Sequence, residues 1–244
     1  MATASFDYSG HAVLVTGGSN GIGHAIARAF AEAGADVTIT GTRASVDDYQ
    51  TDLSGLGYRP LRVEDATEVD AFIAETGALD VLVNNAGNAV RGDEGQTPEG
   101  FELNMEINLN SVFRLCQGLR SKLAQRPGAI VNIASMTSYL ASPRVPGYGA
   151  SKAAVLQLTK TLGELYAPDG IRVNAIAPGW IETNLTQAPR TMDGFTQTVI
   201  ERTPMRRWGR PQDLAGTALY LASADLAGFV TGVTIPVDGG YIAC

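Results

Sequence analysis

The chain has 244 residues, of which 45% are hydrophobic and 18% are charged, so it can bury a large core and is not disordered as a whole. Its formal net charge of -7 argues against sequence-independent nucleic-acid binding, which needs a concentrated positive surface. The N-terminal stretch shows no signal-peptide pattern, and no apolar run approaches the roughly 18 residues that a membrane span needs.

Cysteine and histidine are scarce in this sequence. Cys116 falls in an apolar run and Cys244 is the last residue, so we expect no disulfide framework and a reducing compartment. His11 and His24 have no metal-ligand spacing with a cysteine. We therefore expect a cytoplasmic protein with no bound metal and with no nucleic-acid or membrane partner.

Short β-branched runs alternate with Ala- and Leu-rich segments along the chain. Strands are predicted over residues 12–16, 36–40, 59–63, 81–84, 129–133, 171–176 and 234–237. Pro60 marks the third run as an edge strand or a strand start, because proline cannot donate to a ladder. Helices are predicted over residues 21–33, 102–123, 147–166 and 211–223.

The segments between these elements are less regular. Residues 43–58 and 66–79 leave little room for full-length crossover helices, and residues 180–208 have weak periodicity, which predicts a long loop-like insertion. No composition break marks a second domain. Unbroken apolar strands alternating with helices predict an α/β fold over residues 1–244, a doubly wound parallel sheet with helices on both faces.

A glycine-rich loop follows the first predicted strand. It reads Thr16-Gly17-Gly18-Ser19-Asn20-Gly21-Ile22-Gly23, and a predicted helix begins within it. Glycine permits a tight turn and a close approach to a pyrophosphate, and the helix N-terminus supplies free N–H groups. The strand–turn–helix context favours a dinucleotide site over the alternative, an ordinary turn between strand and helix.

The end of the second predicted strand bears on cofactor choice. An acidic residue there would bind the ribose 2′-hydroxyl of NAD and repel a 2′-phosphate. Here the strand runs into Gly41-Thr42-Arg43-Ala44-Ser45, and the first carboxylate is Asp47. Hydroxyls and a guanidinium can coordinate a phosphate, which favours NADP over NAD. The alternative is that Arg43 is a solvated loop charge.

Further polar segments are predicted to meet at one edge of the sheet. Asn84-Asn85-Ala86-Gly87 closes the fourth strand, Ser135 follows the fifth, and Pro178-Gly179 follows the sixth. Ligands bind at the carboxyl ends of strands in a parallel sheet. Tyr148 and Lys152 lie at i and i+4, on one helix face. Taken alone, that pair is more simply explained as two solvent-exposed surface residues.

Taken together, these motifs resemble the short-chain dehydrogenase/reductase family. TGGSNGIG, NNAG, the Ser135–Tyr148–Lys152 spacing and PG with Thr183 behind it match in order, and the resemblance extends to Val237-Asp238-Gly239-Gly240. It implies a single Rossmann-type domain, usually of seven parallel strands, and a homo-oligomer, either tetramer or dimer. It also implies NAD(P)-dependent interconversion of a secondary alcohol and a ketone, with the substrate loop at about 180–208.

The resemblance assigns Asn108, Ser135, Tyr148 and Lys152 to catalysis. Tyr148 would be the general acid/base, although a phenol pKa of about 10 is too high for efficient transfer at neutral pH. The Lys152 ammonium, with the nicotinamide cation, would lower that pKa, and Lys152 would hold the nicotinamide ribose. Ser135 would bind the substrate oxygen. Asn108 would position a water on the proton path, with Asn110 as its rival.

The resemblance also assigns the cofactor-binding residues, in which Asp65 would contact adenine. The full set is Gly17, Asn20, Gly21, Ile22, Gly23, Thr42, Arg43, Asp65, Asn85, Ala86, Gly87, Tyr148, Lys152, Pro178, Gly179, Ile181 and Thr183. Two positions depart from the family's NADP-preferring pattern. Asn20 replaces a basic residue, and Thr42 intervenes before Arg43, so NAD stays the alternative cofactor.

The substrate pocket is expected between the family's catalytic and nicotinamide segments. Its residues would be Met136, Tyr139, Leu140, Arg144, Val145, Trp180, positions 87–91 and parts of 184–205. The mostly apolar and aromatic set suits an alcohol or ketone of apolar or mixed polarity. Arg91, Arg144 and Arg190 are candidates to recognise a carboxylate or phosphate. A sugar, a hydroxy acid and an acyl thioester all match this set.

Two other functions are compatible with the glycine loop. One is a non-catalytic dinucleotide-binding sensor or scaffold on the same fold, which is disfavoured because the chain keeps both Tyr148 and Lys152. The other is a nucleotide-sugar epimerase, which shares the glycine loop and the Tyr–Lys pair. Epimerases usually have longer chains than 244 residues, with a larger C-terminal substrate region.

Overall fold

Seven parallel strands form one sheet in a computed structural model that describes residues 6–243, so Cys244 lies outside the described residues. The sheet order is β3-β2-β1-β4-β5-β6-β7. The strands are β1 Ala12–Val15, β2 Asp36–Gly41, β3 Gly57–Pro60, β4 Val81–Asn84, β5 Ala129–Ile133, β6 Arg172–Pro178 and β7 Thr234–Val237. The predicted α/β, doubly wound, Rossmann-type parallel sheet is confirmed.

Helices cover both faces of the sheet. They are α1 Gly21–Glu32, α2 Ala66–Glu75, α3 Pro98–Met105, α4 Ser111–Leu123, α5 Pro146–Tyr166, α6 Gln187–Arg190, α7 Phe195–Arg202, α8 Gln212–Ala222 and α9 Ala224–Ala227. Side chains alternate between the two faces along each strand. Val13 and Val15 of β1 pack into a core with α1 and α8, whereas Leu14 packs with α2, α4 and α5 on the other face.

The sheet topology places a crevice at the carboxyl ends of the central strands. β1 pairs with β2 on one side and with β4 on the other, so the strand order reverses between β1 and β4. The loops that leave β1 and β4 therefore diverge to opposite sides of the sheet. Ligands of doubly wound sheets bind in the opening that such a reversal creates.

Two elements on the β3 side of the sheet differ from the prediction. β3 spans Gly57–Pro60 and not residues 59–63, because Gly57 pairs with Thr38 and Pro60 ends the ladder opposite Gly41. The expectation that residues 66–79 lack room for a full helix is wrong. These residues form the ten-residue α2, whose first turn Asp65 caps by accepting from the N–H groups of Thr67 and Glu68.

The other differences concern segments with mixed periodicity. The helix predicted over residues 102–123 begins at Pro98, after the cap Thr97, and contains a π-helical segment, Glu106–Asn110. The loop-like residues 180–208 contain two helices, α6 and α7. Residues 43–58 hold only one short 3₁₀ turn, Val46–Asp48, before β3, as expected for so short a connection.

No helix in the described part of the chain is long and apolar enough to cross a bilayer. Within residues 6–243 there is also no group of three or more His, Cys, Asp or Glu side chains placed to hold a metal ion.

Candidate active site

A single continuous cavity of about 1410 Å³ opens along the carboxyl ends of the strands. Most of the predicted site residues line it: Gly17, Asn20, Gly21, Ile22, Thr42, Asn85, Ala86, Gly87, Ser135, Tyr148, Lys152, Pro178, Gly179, Ile181 and Thr183. Residues far apart in the sequence therefore meet in one place. Gly23, Arg43, Asp65 and Asn108 are not among the lining residues, and their positions are described below.

The glycine loop forms a cradle for a polar, anionic group. Gly17 has a φ of 63°, which disfavours any residue with a side chain. A Cβ there would also lie only 2.9 Å from the Cα of Ala86. Asn20, the N-cap of α1, makes no side-chain capping bond, and the first turn of α1 contains no acidic residue. The N–H groups of that turn are therefore left for an anion, which suits a pyrophosphate.

Asn85 holds the glycine loop in this conformation. Its side-chain amide donates to the carbonyls of Thr16 (3.0 Å) and Gly17 (2.9 Å), and its backbone N–H donates to the Thr16 hydroxyl at 3.0 Å. Gly23, on the first turn of α1, lies against this same Asn85 side chain. The two strand ends that flank the topological reversal are thus joined by direct hydrogen bonds.

Two residues predicted for the adenosine end are not among the residues that line the cavity. The Asp65 carboxylate caps α2 and lies 3.5 Å from the guanidinium of Arg62, while its neighbour Glu64 lines the cavity. The Arg43 guanidinium donates to the carbonyl of Asp48 and lies over the ring of Tyr49. Thr42, just before it, does line the cavity.

The catalytic candidates come from three elements that meet at the middle of the cavity. Ser135 follows β5, and Tyr148 and Lys152 lie on consecutive turns of α5, with the Lys152 nitrogen 5.8 Å from the Tyr148 ring centre. The Lys152 ammonium donates to the carbonyl of Ile133 at 2.7 Å. α5 begins with Pro146 at its first position, which brings Tyr148 into the first turn beside Ser135.

Asn108 lies in the π-helical segment behind this cluster and is fully buried. Its side chain is bonded to both backbone groups of Asn88, accepting from the N–H at 3.0 Å and donating to the carbonyl at 2.8 Å. A Cβ on Gly87 would lie 2.9 Å from Asn108 Oδ1 and 3.5 Å from Lys152 Nζ, so both groups flank one small space. The rival Asn110 instead donates to Glu106 at 2.6 Å.

Burial dominates the ionisation of the Tyr148–Lys152 pair. It raises the pKa of the Tyr148 phenol, against the opposing effects of the Ser135 hydroxyl and the positive charge of Arg91. Burial also lowers the pKa of Lys152 to about 8. The cation that acts on the Tyr148 pKa in this structure is Arg91, a residue that the sequence pattern assigned only to substrate recognition.

Arginines from three segments line the substrate end of the cavity. They are Arg91, Arg144 and Arg202, and none has a carboxylate within ion-pair distance among the described residues. Arg91 donates to the carbonyl of Leu185 at 2.8 Å, and Arg202 lies over the ring of Tyr241 at 4.3 Å. Such uncompensated guanidinium groups favour an anionic ligand.

Apolar side chains complete the substrate end. Met136, Leu140, Val145 and Trp180 line it as predicted, whereas Tyr139 is exposed and outside the lining. Arg190, the third arginine proposed from sequence, also lies outside it. Asn88 lines the cavity within the predicted range 87–91, whereas the sequence pattern does not point to Gln96 or Tyr241 and includes Arg202 only within the broad range 184–205. Only Arg202 carried a local signal, as a cation in the last turn of α7.

Known proteins match this chain over nearly its whole length. A family model described as Enoyl-(Acyl carrier protein) reductase matches residues 17–242. A 2-dehydro-3-deoxy-D-gluconate 5-dehydrogenase of Dickeya dadantii is 38% identical, with 100% of both chains covered. A 3-oxoacyl-[acyl-carrier-protein] reductase of Chlamydia muridarum is 35% identical, with 94% of this chain and 96% of the relative covered.

Solved structures share the whole fold. The crystal structure of a gluconate 5-dehydrogenase from Burkholderia cenocepacia, in complex with NADP and tartrate, superposes with a TM-score of 0.89 at 35% identity. The alignment covers 98% of each chain. These relatives are named as dehydrogenases and reductases, and none supports a non-catalytic sensor or scaffold.

Proposed function

The chain belongs to the short-chain dehydrogenase/reductase family as an NAD(P)-dependent oxidoreductase that interconverts secondary alcohols and ketones, and from that premise we propose that it acts on a sugar acid with NADP. The proposed substrate is a linear polyhydroxy carboxylate such as gluconate or its 2-keto-3-deoxy relative. The hydroxyl that reacts is a secondary one at a distance from the carboxylate.

One observation carries the substrate class, namely the position of Arg91. Its guanidinium lines the cavity beside the catalytic cluster, and its positive charge lowers the pKa of Tyr148 against the effect of burial. Its hydrogen bond to the Leu185 carbonyl leaves the charge uncompensated. A carboxylate bound there would leave the remaining carbon chain to extend past Ser135 and Tyr148.

Arg144 and Arg202 support an anionic ligand from the same end of the cavity. Arg144 lies 5.9 Å over the ring of Phe195 on α7, and Arg202 lies at the end of that helix. Relatives point the same way. The Dickeya dadantii enzyme is named for a keto-deoxy sugar acid, and the Burkholderia cenocepacia structure contains the dicarboxylate tartrate. We propose that residues 180–208 form the substrate loop.

NADP is the proposed cofactor because the end of β2 carries no acidic residue and the first hydroxyl after the strand, on Thr42, lines the cavity. The open N-terminus of α1 with Gly17, Asn20 and Ile22 would hold the pyrophosphate, and Pro178, Gly179, Ile181 and Thr183 would hold the nicotinamide end. The Burkholderia cenocepacia structure was solved with NADP. A bound nicotinamide supplies or accepts the hydride.

The chain's own residues would handle the proton and the substrate oxygen. The Tyr148 phenol would take the proton from the substrate hydroxyl during oxidation and return it during reduction. Ser135, beside it, would donate to the same oxygen as negative charge develops. Asn108 would position a water in the small space that it and Lys152 flank next to Gly87, and the proton would pass onward through Lys152 and that water. These four roles stand as part of the proposal.

The experiment is a rate measurement with purified protein and defined substrates. NADP reduction is followed by absorbance with D-gluconate, with the neutral polyol D-glucitol, and with buffer alone. We expect turnover with gluconate at least about tenfold above that with glucitol, since one charge-assisted hydrogen bond separates the two. Faster turnover of glucitol would refute the sugar-acid proposal.

A second candidate substrate class is an acyl thioester. Met136, Leu140, Leu185, Met192 and Phe195 form an apolar wall that an acyl chain could contact, and the Chlamydia muridarum relative is named for such a reaction. The three arginines argue against an uncharged acyl chain. NADPH oxidation with acetoacetyl-coenzyme A, run in parallel with the gluconate assay, separates the two classes.

We also propose that the protein is a homo-oligomer, a tetramer or a dimer. Large apolar side chains are exposed on α4 (Phe113), on α5 (Leu165) and just before β7 (Phe229 and Val233). Exposed apolar patches of this kind mark contact surfaces. Light scattering coupled to gel filtration tests the oligomeric state, and Phe113→Asp and Phe229→Asp test whether either position lies in a contact between subunits.

A cytoplasmic location is the last part of the proposal. Cys116 is a free, fully buried thiol, and burial raises its pKa to about 12, so it is kept protonated and unreactive. A free thiol suits a reducing compartment. Fractionation of cells producing the protein, followed by immunodetection, would place it, and recovery outside the cytoplasmic fraction would contradict this part.

A further inference from the structure

Two tyrosines that no motif assigns lie beside the adenosine end of the cavity. Tyr49 follows the short 3₁₀ turn after β2, and Tyr58 lies in β3. Their rings meet edge to face with centres 5.8 Å apart, and both are half-buried. Their hydroxyl oxygens are 3.2 Å apart. The pair thus brings two phenols together next to Thr42 and Arg43.

The two phenols hold both backbone groups of Arg43. The Arg43 N–H donates to the Tyr49 oxygen at 3.0 Å, and the Tyr58 hydroxyl donates to the Arg43 carbonyl. With the Tyr58 proton used in this way, the Tyr49 hydroxyl donates to the Tyr58 oxygen. The result is a closed ring of three hydrogen bonds. An exposed loop residue is therefore held from both sides.

The Tyr49 hydroxyl also decides what can stand at position 41. A Cβ on Gly41 would collide with that hydroxyl and would lie 3.1 Å from the Ser19 oxygen. Both Gly41 and Ser19 line the cavity. The end of β2 is where an acidic side chain would read the 2′-hydroxyl of NAD. Tyr49 occupies the space that such a side chain would need.

The Arg43 guanidinium keeps its charge available in this arrangement. It lies 5.0 Å over the Tyr49 ring and donates to a backbone carbonyl, that of Asp48. The carboxylates of Asp47 and Asp48 are engaged instead with Ser45, at 3.3 Å from its hydroxyl and 3.1 Å from its N–H respectively. Among the described residues, no carboxylate lies within ion-pair distance of the Arg43 guanidinium.

We propose that Tyr49 and Tyr58 are positioning residues for NADP, which hold the Thr42–Arg43 peptide so that its hydroxyl and guanidinium meet the 2′-phosphate. This inference rests on the proposed use of NADP. A preformed loop loses less freedom when it binds a phosphate, so the pair increases affinity for NADP and leaves NAD affinity unchanged. Neither tyrosine lines the cavity, so both act through the Arg43 backbone and not on the reacting atoms.

The test compares Tyr49→Phe and Tyr58→Phe with the wild type. Phenylalanine keeps the ring contacts and removes only the hydroxyl. The probes are 2′,5′-ADP and 5′-AMP, which differ by the 2′-phosphate alone, with dissociation constants measured by calorimetry. We expect each variant to bind 2′,5′-ADP about three- to tenfold more weakly and 5′-AMP as the wild type does. In the enzyme assay, KM for NADP should rise while kcat stays unchanged.

A double variant distinguishes positioning from a general structural effect. If the phenols act largely through Arg43, then Tyr58→Phe should weaken 2′,5′-ADP binding less in an Arg43→Ala background than in the wild type. Additive losses, or equal losses for both probes, would overturn the inference. Tyr8→Phe is the matched control, because it removes a buried hydroxyl bond to the Leu219 carbonyl, remote from the cavity.

The wild type separates this inference from the cofactor proposal. Wild-type protein that binds both probes equally would refute the preference for NADP, and with it the positioning role. A wild type that prefers 2′,5′-ADP, with Phe variants that keep the same preference, would refute the positioning role alone. Thermal unfolding of each variant is recorded beside the binding data, so that a loss of fold is recognised as such.

Discussion

The ammonium of Lys152 donates a 2.7 Å hydrogen bond to the carbonyl oxygen of Ile133, the last residue of β5. This bond fixes the lysine at the carboxyl end of the central sheet, where it is 3% exposed. No carboxylate pairs with it among the described residues, so burial lowers its pKa to about 8. The site therefore stores an unfavourable charge that a bound anionic cofactor would offset.

The lowered pKa of Lys152 makes stability depend on pH. Below pH 8 the lysine is charged in both states, and between about 8 and 10.5 the unfolded chain binds more protons than the folded one. The free energy of unfolding of the wild type should therefore rise by about 3 kcal/mol relative to that of Lys152→Met as the pH rises through this window. Urea unfolding of both cofactor-free proteins from pH 7 to 10.5 measures the difference, and parallel profiles would contradict the assignment.

Tyr148→Phe tests the proposed acid/base directly. Removal of the hydroxyl should lower kcat by roughly 10²- to 10⁴-fold, while the cofactor still binds because the cradle around Gly17 is untouched. Steady-state rates with gluconate and cofactor titration by fluorescence measure the two effects. Turnover within tenfold of the wild type would show that another group moves the proton.

Asn108 and Asn110 lie two positions apart in the π-helical segment and offer a matched pair of substitutions. Asn108→Ala removes both hydrogen bonds to Asn88 and one wall of the space beside Lys152, so kcat should fall on the order of tenfold or more. Asn110→Ala removes only a bond to Glu106 and should leave kcat unchanged. Equal effects of the two changes would reject the assignment of Asn108.

The motif residues could be predicted from sequence because short-range geometry fixes them. Tyr148 and Lys152 share one face of α5, and Ser135 directly follows a buried strand, so their convergence follows from the parallel sheet. The glycine loop was recognisable for the same reason. In each case the position of the residue on its strand, loop or helix determines where it lies in the parallel sheet.

The remaining features depend on contacts that the sequence pattern does not contain. The start of the ten-residue α2 is set by the side chain of Asp65, which caps the helix. The sequence pattern assigned Asp65 to adenine binding and therefore did not indicate this cap. Arg202, at the end of α7, lines the cavity and Arg190, at the end of α6, does not, although both lie within residues 180–208. The direction of Arg43 is likewise set by two tyrosines that lie 6 and 15 residues further along the chain.

Arg206 carries the one positive φ, 55°, found at a non-glycine position in residues 6–243. Such a conformation costs an L-residue free energy that glycine avoids. Arg206→Gly should raise the free energy of unfolding by about 0.5–1 kcal/mol. Arg206→Ala is its control, since it also loses the bond to the Glu201 carbonyl but keeps the Cβ. If urea denaturation shows Arg206→Ala to be as stable as Arg206→Gly or more stable, the backbone at this position is not strained.

Substrate selectivity tests most directly whether Arg91 holds the carboxylate of a sugar acid. The measurement is the ratio of kcat/KM for D-gluconate to that for D-glucitol, with NADP, in the wild type, Arg91→Met and Arg190→Met. Arg91 also affects the pKa of Tyr148, so its loss slows both substrates, and only the ratio isolates the carboxylate. We predict that the ratio falls about tenfold to 10²-fold in Arg91→Met and is unchanged in Arg190→Met. An unchanged ratio in Arg91→Met would show that Arg91 does not bind the carboxylate.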